Sequence, residues 1–194
     1  GIGTMALAEA YGLSKDERLR APAQAAVDFI VRAQQSANGS WRYVPGQHFG
    51  DMSVFGWQVM ALKSALLAGL SVPESTLKKA NRWIYTVAGG PNGGLYGYSN
   101  KQYQQPAMVA EGMYARQLLS PEKNPARAAE SVAYLFDALK KLPDKDFEAY
   151  FIYYMTLAMY LHQGEPWDAW NDKLKSELIS TQHSEGDEKG TWPI

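Results

Sequence analysis

The chain has no cysteine. That excludes disulfides, thiolate zinc sites and cysteine nucleophiles at once. It lacks a dominant charge: 19 Lys and Arg oppose 20 Asp and Glu, for a formal net charge of -1. Its basic residues are spread out, and the pairs Lys78-Lys79 and Lys140-Lys141 fall on polar helix faces, so the electrostatic footprint of a nucleic-acid binder is missing. No apolar run is long enough to span a bilayer. No alternating strand pattern of useful length appears, since Trp41-Arg42-Tyr43-Val44 and Tyr96-Gly97-Tyr98 are short and bounded by glycine or proline. The three histidines, His48, His162 and His183, are far apart in sequence and form no metal-ligand spacing. The sequence therefore implies no metal and no cofactor. It does not fix a compartment.

What is present is helix. Hydrophobic residues make up 46% of 194 residues, enough for a sizeable core in a single domain spanning 1–194. The chain opens Gly1-Ile2-Gly3-Thr4-Met5 and runs directly into a helical pattern, which reads as a piece of a longer protein. Two kinds of helical segment alternate. Thr4–Tyr11, Val54–Leu70, Ala107–Leu119 and Phe147–His162 are apolar nearly all round. Segments 18–35, 74–87, 125–142 and 166–182 are amphipathic. In the first amphipathic segment Ala26, Phe29, Ile30 and Ala33 share a face, and in the third Val132, Leu135, Phe136 and Leu139 do. A helix that is apolar all round is covered on both sides, while an amphipathic one keeps a solvent face. The alternation predicts an all-α protein of about four helical hairpins in two concentric layers. Boundary signals agree: Pro22 early in the first outer helix, Gly69 before Ser71-Val72-Pro73-Glu74, Asn124-Pro125 as N-cap and N1, and Gly164-Glu165-Pro166.

A loop motif recurs at the ends of two outer helices. The first reads Gln34-Gln35-Ser36-Ala37-Asn38-Gly39-Ser40-Trp41. The second runs from Gln182 through Glu185-Gly186-Asp187-Glu188 to Gly190-Thr191-Trp192. Each is Gln, a short polar loop, then Gly-x-Trp. Glycine permits a tight exit turn, the indole gives a broad apolar face, and the Gln amide reaches orphan backbone groups at a helix terminus. Gly93-Gly94-Leu95-Tyr96-Gly97-Tyr98 is a degenerate version. The motif resembles the QW repeat of squalene and oxidosqualene cyclases. Gly50-Asp51-Met52-Ser53-Val54, followed by Gly56-Trp57-Gln58, is similar to bacterial proteins with prenyltransferase and squalene-oxidase repeats. The resemblance implies the α/α toroid of terpenoid cyclases and protein prenyltransferases. Four hairpins would form an incomplete ring, to be completed by further hairpins or by self-association.

The reaction of those relatives does not carry over with the architecture. The Asp-x-Asp-Asp acid motif of squalene-hopene cyclases aligns with His48-Phe49-Gly50-Asp51, where only Asp51 remains. The zinc site of protein prenyltransferases needs a cysteine. Asp51 is the candidate acid, or else the cap of the helix that starts after it. Inner-helix aromatics are the second candidate set: Trp57, Tyr150, Tyr153 and Tyr154, with Tyr98 from the loop, as the lining of a hollow suited to a hydrophobic small molecule. Core packing between layers is the competing role for each ring. The acidic loop 185–188 lacks the ligand pattern of an EF-hand, and Gly89–Gly94 lacks the Lys and Ser/Thr of a phosphate loop and reads as a turn. The resulting expectation is a module binding a hydrophobic or isoprenoid-like ligand, or serving a structural role. Two alternatives stand beside it: an isoprenoid cyclase-like enzyme with Asp51 as acid, and a glycan-active toroid with Glu111, Glu148 or Asp51 as acid and base.

Overall fold

The structure is a computed structural model that describes residues 1–120, 124–141 and 149–192. It is all-α apart from one minimal hairpin. The helices are α1 (Ile2–Ser14), α2 (Glu17–Ala33), α3 (Met52–Leu67), α4 (Glu74–Thr86), α5 (Pro106–Leu119), α6 (Pro125–Lys141), α7 (Ala149–His162) and α8 (Glu165–Thr181). The odd-numbered helices pack side by side in chain order, α1 on α3, α3 on α5 and α5 on α7. The even-numbered helices lie behind them, α2 on α1 and α3, α4 and α6 on α5, and α8 on α7. The two layers foreseen from the alternating hydrophobicity are thus present. The physical cause is the burial pattern: α3 buries Met52, Val54, Phe55, Val59, Met60, Leu62 and Ala65, whereas α4 buries only Thr76, Ala80, Trp83 and Ile84.

Local signals set the boundaries. Asn124 caps α6, its Oδ1 accepting from Ala126 and Arg127 N–H at 3.1 and 3.3 Å. Gly69, at φ 83°, ends α3, and the Leu70 N–H returns to the Ala65 carbonyl at 2.9 Å. Pro22 is further inside α2 than the sequence suggested, because the helix begins at Glu17 with Asp16 as its cap. The face assigned to α2 also needs correction. Its buried line is Ala23, Val27 and Ile30, and Phe29 is 56% exposed. Alanine tolerates either side, so Ala26 and Ala33 carried no phase information. The expected absence of strands fails at one place: Ala88–Gly89 (β1) pairs antiparallel with Leu95–Tyr96 (β2) across the glycine turn. Gly90 and Gly93, at φ 80° and 73°, close that turn.

The two Gln-to-Trp loops have one geometry. Gln34 and Gln182 are the C-caps of α2 and α8, with φ, ψ of -62°, 130° and -65°, 129°. Each donates its side-chain amide to the carbonyl of the loop glycine, Gly39 or Gly190, at 2.9 Å. The next backbone N–H, of Gln35 or His183, donates to Ser40 or Thr191 O at 2.9 Å. The indole N–H of Trp41 reaches Ile30 O, and that of Trp192 reaches Leu178 O, both at 2.8 Å. Ile30 and Leu178 are among the last residues of their helices, whose carbonyls have no helical partner. The tryptophan thus satisfies the helix end, the task that the sequence suggested for the glutamine. The glutamine instead ties the loop together, and Gln34 also bonds Thr76 O of α4 at 3.0 Å.

Candidate functional site

The inner helices bring two carboxyl groups and a set of aromatic rings to one region. Asp51 is fully buried at the N-terminus of α3. Its Oδ1 accepts from Val54 N–H at 2.9 Å, and its Oδ2 lies 3.6 Å from Arg42 Nη1 without a hydrogen bond. Asp51 is therefore the helix cap, as its position before Ser53-Val54-Phe55 allows, and Arg42 balances its charge.

Glu111, on α5, is the group that sequence reasoning underrated. It has no exposed surface. Its Oε2 accepts from the Tyr150 hydroxyl at 2.9 Å. Its Oε1 faces Gly56 of α3 so closely that a Cβ there would stand 2.0 Å away. Gly56 is needed because Glu111 fills the space of its side chain. Burial pushes the Glu111 carboxyl up to about 8, with the negative charge of Asp51 adding to the rise, while the Tyr150 and Tyr154 hydroxyls and the Gly56 amide oppose it. Neither Glu111 Oε1 nor Tyr154 Oη completes a hydrogen bond. Burial of this kind favours the protonated carboxyl toward neutral pH, beside the Tyr150 and Tyr154 hydroxyls. The sequence shows Glu111 only as the one acid in a largely apolar segment, Ala107–Leu119; nothing in it says that Gly56, Tyr150 and Tyr154 surround that acid.

The rings form a connected stack. Trp57 of α3 lies on Tyr153 of α7, with centroids 5.5 Å apart and planes 23° from parallel. Tyr154 meets Trp57, Tyr150 and Tyr153 edge-on at 5.9, 5.0 and 5.2 Å. Trp57 and Tyr150 line an open cavity of about 430 Å³ together with Arg42, Tyr43, Ser53 and Gln58. Tyr153 is partly exposed behind Trp57. Tyr154 is fully buried, so it packs behind the wall and does not line it; the sequence could not say which of adjacent Tyr153 and Tyr154 turns inward. Burial raises the pKa of both the Tyr150 and Tyr154 hydroxyls, and the Glu111 charge adds to each. Tyr98, expected in the lining, is not among the residues that line this cavity; its carbonyl accepts from Met52 N–H at 2.7 Å. Burial raises its pKa, with the Tyr43 hydroxyl and the Asp51 charge reinforcing and Arg42 opposing.

A second cavity, of about 630 Å³, lies among Arg42, Gln47, His48, Phe49, Ser99 and Asn100. It is made of loop residues and shares only Arg42 with the first. Glu148 lies outside the described residues. Among the described residues no three His, Asp or Glu side chains gather at metal-binding distance, and no helix is long and apolar enough to cross a membrane. No protein-family model, curated protein or solved structure matches the chain.

Proposed function

We propose that the chain is a squalene cyclase-like toroid module whose Trp57–Tyr150 cavity binds a hydrophobic, isoprenoid-like molecule. The observation that carries the reading is the stacked, partly exposed Trp57–Tyr153 pair beside Tyr150, at the edge of a cavity large enough for a small ligand. Aromatic faces offer large apolar contact at little conformational cost. The paired Gln-to-Trp loops support the family resemblance, and the ordered row of inner helices supports a hollow along their free side. The test is binding of farnesol, geranylgeraniol and squalene, read by quenching of Trp57 fluorescence and by the shift in Tm. Saturable quenching that Trp57→Ala removes supports the reading. If none of these compounds quenches or raises Tm, the ligand assignment fails.

A second reading is favoured by one observation, the buried Glu111 carboxyl hydrogen-bonded to the cavity residue Tyr150. If the cavity carries out acid chemistry on its ligand, the Tyr150 hydroxyl at its wall gives up its proton and the protonated Glu111 carboxyl, 2.9 Å behind it, replaces that proton, the hydrogen bond between them reversing direction as it does so. Asp51 is committed to Val54 N–H and Arg42. Turnover of a polyprenyl substrate that survives Asp51→Asn and is lost in Glu111→Gln is the expected pattern. The reverse pattern removes Glu111 from the mechanism.

A further inference from the structure

The chain holds two Asn-Gly pairs, Asn38-Gly39 and Asn92-Gly93. Such a pair can modify itself. Glycine has no side chain to shield its backbone nitrogen, which attacks the asparagine side-chain carbon and closes a cyclic imide. A fold prevents this when hydrogen bonds hold both the side-chain amide and the glycine N–H. The structure separates the two pairs on both counts.

Asn38-Gly39 is locked. Asn38 Nδ2 donates to Gln35 Oε1 at 2.8 Å, and its Oδ1 accepts from Ser40 N–H at 2.9 Å and Ser40 Oγ at 2.6 Å. The Gly39 N–H donates to Gln35 O at 2.8 Å, and Gly39 is buried against Lys79 of α4. Asn92-Gly93 is the reverse. Asn92 is exposed, and among the described residues no hydrogen bond holds its side-chain amide. The Gly93 N–H makes a longer bond, to Gly90 O at 3.3 Å.

What is held at Asn92 is the backbone around the amide. Glu130 of α6 accepts from Asn92 and Gly94 N–H at 3.1 and 2.7 Å. Arg127 Nε donates to Asn92 O at 3.1 Å, and Ser131 Oγ donates to Gly94 O at 2.7 Å. The fit is tight: a Cβ on Gly94 would stand 2.4 Å from Arg127 O, and one on Gly90 2.6 Å from Glu130 Oε1. The turn between β1 and β2 is thus clamped onto α6 without room for an added atom, while the amide at its tip is free.

We propose that Asn92 is a site of self-modification, deamidating to aspartate and isoaspartate while Asn38 stays intact, and that isoaspartate there unseats the β1–β2 turn from α6. The Gly93 nitrogen bonds to Asn92 Cγ and gives its proton to solvent. The Cγ–Nδ2 bond breaks, and the amide nitrogen takes up a proton and leaves as ammonia. Water then opens the imide. Breaking the bond from Gly93 N to Cγ leaves aspartate. Breaking the bond from Gly93 N to the former main-chain carbonyl carbon leaves isoaspartate, whose main chain runs through the side chain and is one carbon longer. Both products put a carboxylate on the residue whose N–H Glu130 accepts, and like charges repel. Isoaspartate also shifts Gly94 relative to the Glu130 and Ser131 groups that grip it.

The test is to incubate the chain at physiological temperature in mildly alkaline buffer and map its peptides by mass spectrometry, with the asparagine, aspartate and isoaspartate forms separated. Asn92 should convert at least about tenfold faster than Asn38, the ratio to which one or two hydrogen bonds at Asn38 correspond. In denaturant the two should convert at similar rates, because both are Asn-Gly and no fold distinguishes them. Chains modified at Asn92, isolated by anion exchange, should melt at least about 3 °C below fresh chains. An Asn92→Ser chain aged in parallel should keep its Tm, since the Asn92 side chain holds nothing in place. Conversion of Asn38 as fast as Asn92 in the folded chain, or of neither, overturns the proposal. So does a tenfold ratio that persists in denaturant, which would make the local sequence and not the fold its cause. Chains modified at Asn92 that melt with the fresh ones overturn the unseating.

Discussion

Replacing Glu111 with Gln tests the most consequential group in the molecule. Glu111 has no exposed surface, and burial pushes its carboxyl from 4.5 up to about 8. An unfolded chain releases that proton near the ordinary glutamate value. Between the two values the folded state therefore holds a proton that the unfolded state has lost, and stability falls as pH rises. Below the unfolded value the effect is absent, and above the folded value it has reached its full size. Each unit of pH within the window is worth about 1.4 kcal/mol. From about pH 5.5 to about pH 7.5 the wild type should thus lose on the order of 2–3 kcal/mol through Glu111 alone. Gln keeps an acceptor for the Tyr150 hydroxyl and cannot ionise. The other titrating groups are common to both chains, so the difference between their denaturant-unfolding curves isolates this site. The Glu111→Gln chain should gain on the wild type steadily across the window and hold a constant lead above it. A difference that stays flat within about 0.5 kcal/mol from about pH 5 to about pH 8.5 would refute the buried neutral acid.

Four further outcomes follow from the packing. Trp41→Ala should cost about 3–5 kcal/mol in denaturant unfolding, because it opens a buried cavity and strands the Ile30 carbonyl, whereas Trp192→Ala, at a partly exposed copy of the same loop, should cost about 1–2 kcal/mol. Gly56→Ala should destabilise by about 1–3 kcal/mol, since its Cβ meets Glu111 Oε1, and Glu111→Ala should relieve most of that loss in a double-mutant cycle. Asp51→Ala should lower stability by about 0.5–2 kcal/mol through loss of the α3 cap, with Asp51→Asn losing less, by the same measurement. Tyr153→Ala should weaken any farnesol quenching of Trp57 while leaving Tm within a few degrees, because its ring is partly exposed.

The sequence by itself determined the helices, their alternation and the layer to which each belongs. Those properties follow from one-dimensional periodicity: a segment apolar on every side has no solvent face wherever it is placed. It also marked the two loops that end in Trp41 and Trp192, because glycine, glutamine and tryptophan at fixed offsets are local chemistry. It misjudged the face of α2, where alanines say little about phase, and it missed the short pairing of Ala88–Gly89 with Leu95–Tyr96. It named Asp51, which lies beside a helix start, and its capping role was legible there. Only the tertiary structure decided the rest. Tyr153 and Tyr154 are neighbours in the chain, yet one is partly exposed and the other fully buried, since that depends on where α5 and α7 sit against α3. Glu111 gains its raised pKa from burial, and the neighbours it meets there, Gly56, Tyr150 and Tyr154, which hold the rise back, are 55, 39 and 43 positions away in the chain. Desolvation is a property of the surroundings, and no local pattern records it. Likewise the two tryptophan loops are alike in sequence and in hydrogen bonds, and only the presence of α3 and α4 against the first makes one a buried joint and leaves the other an open face.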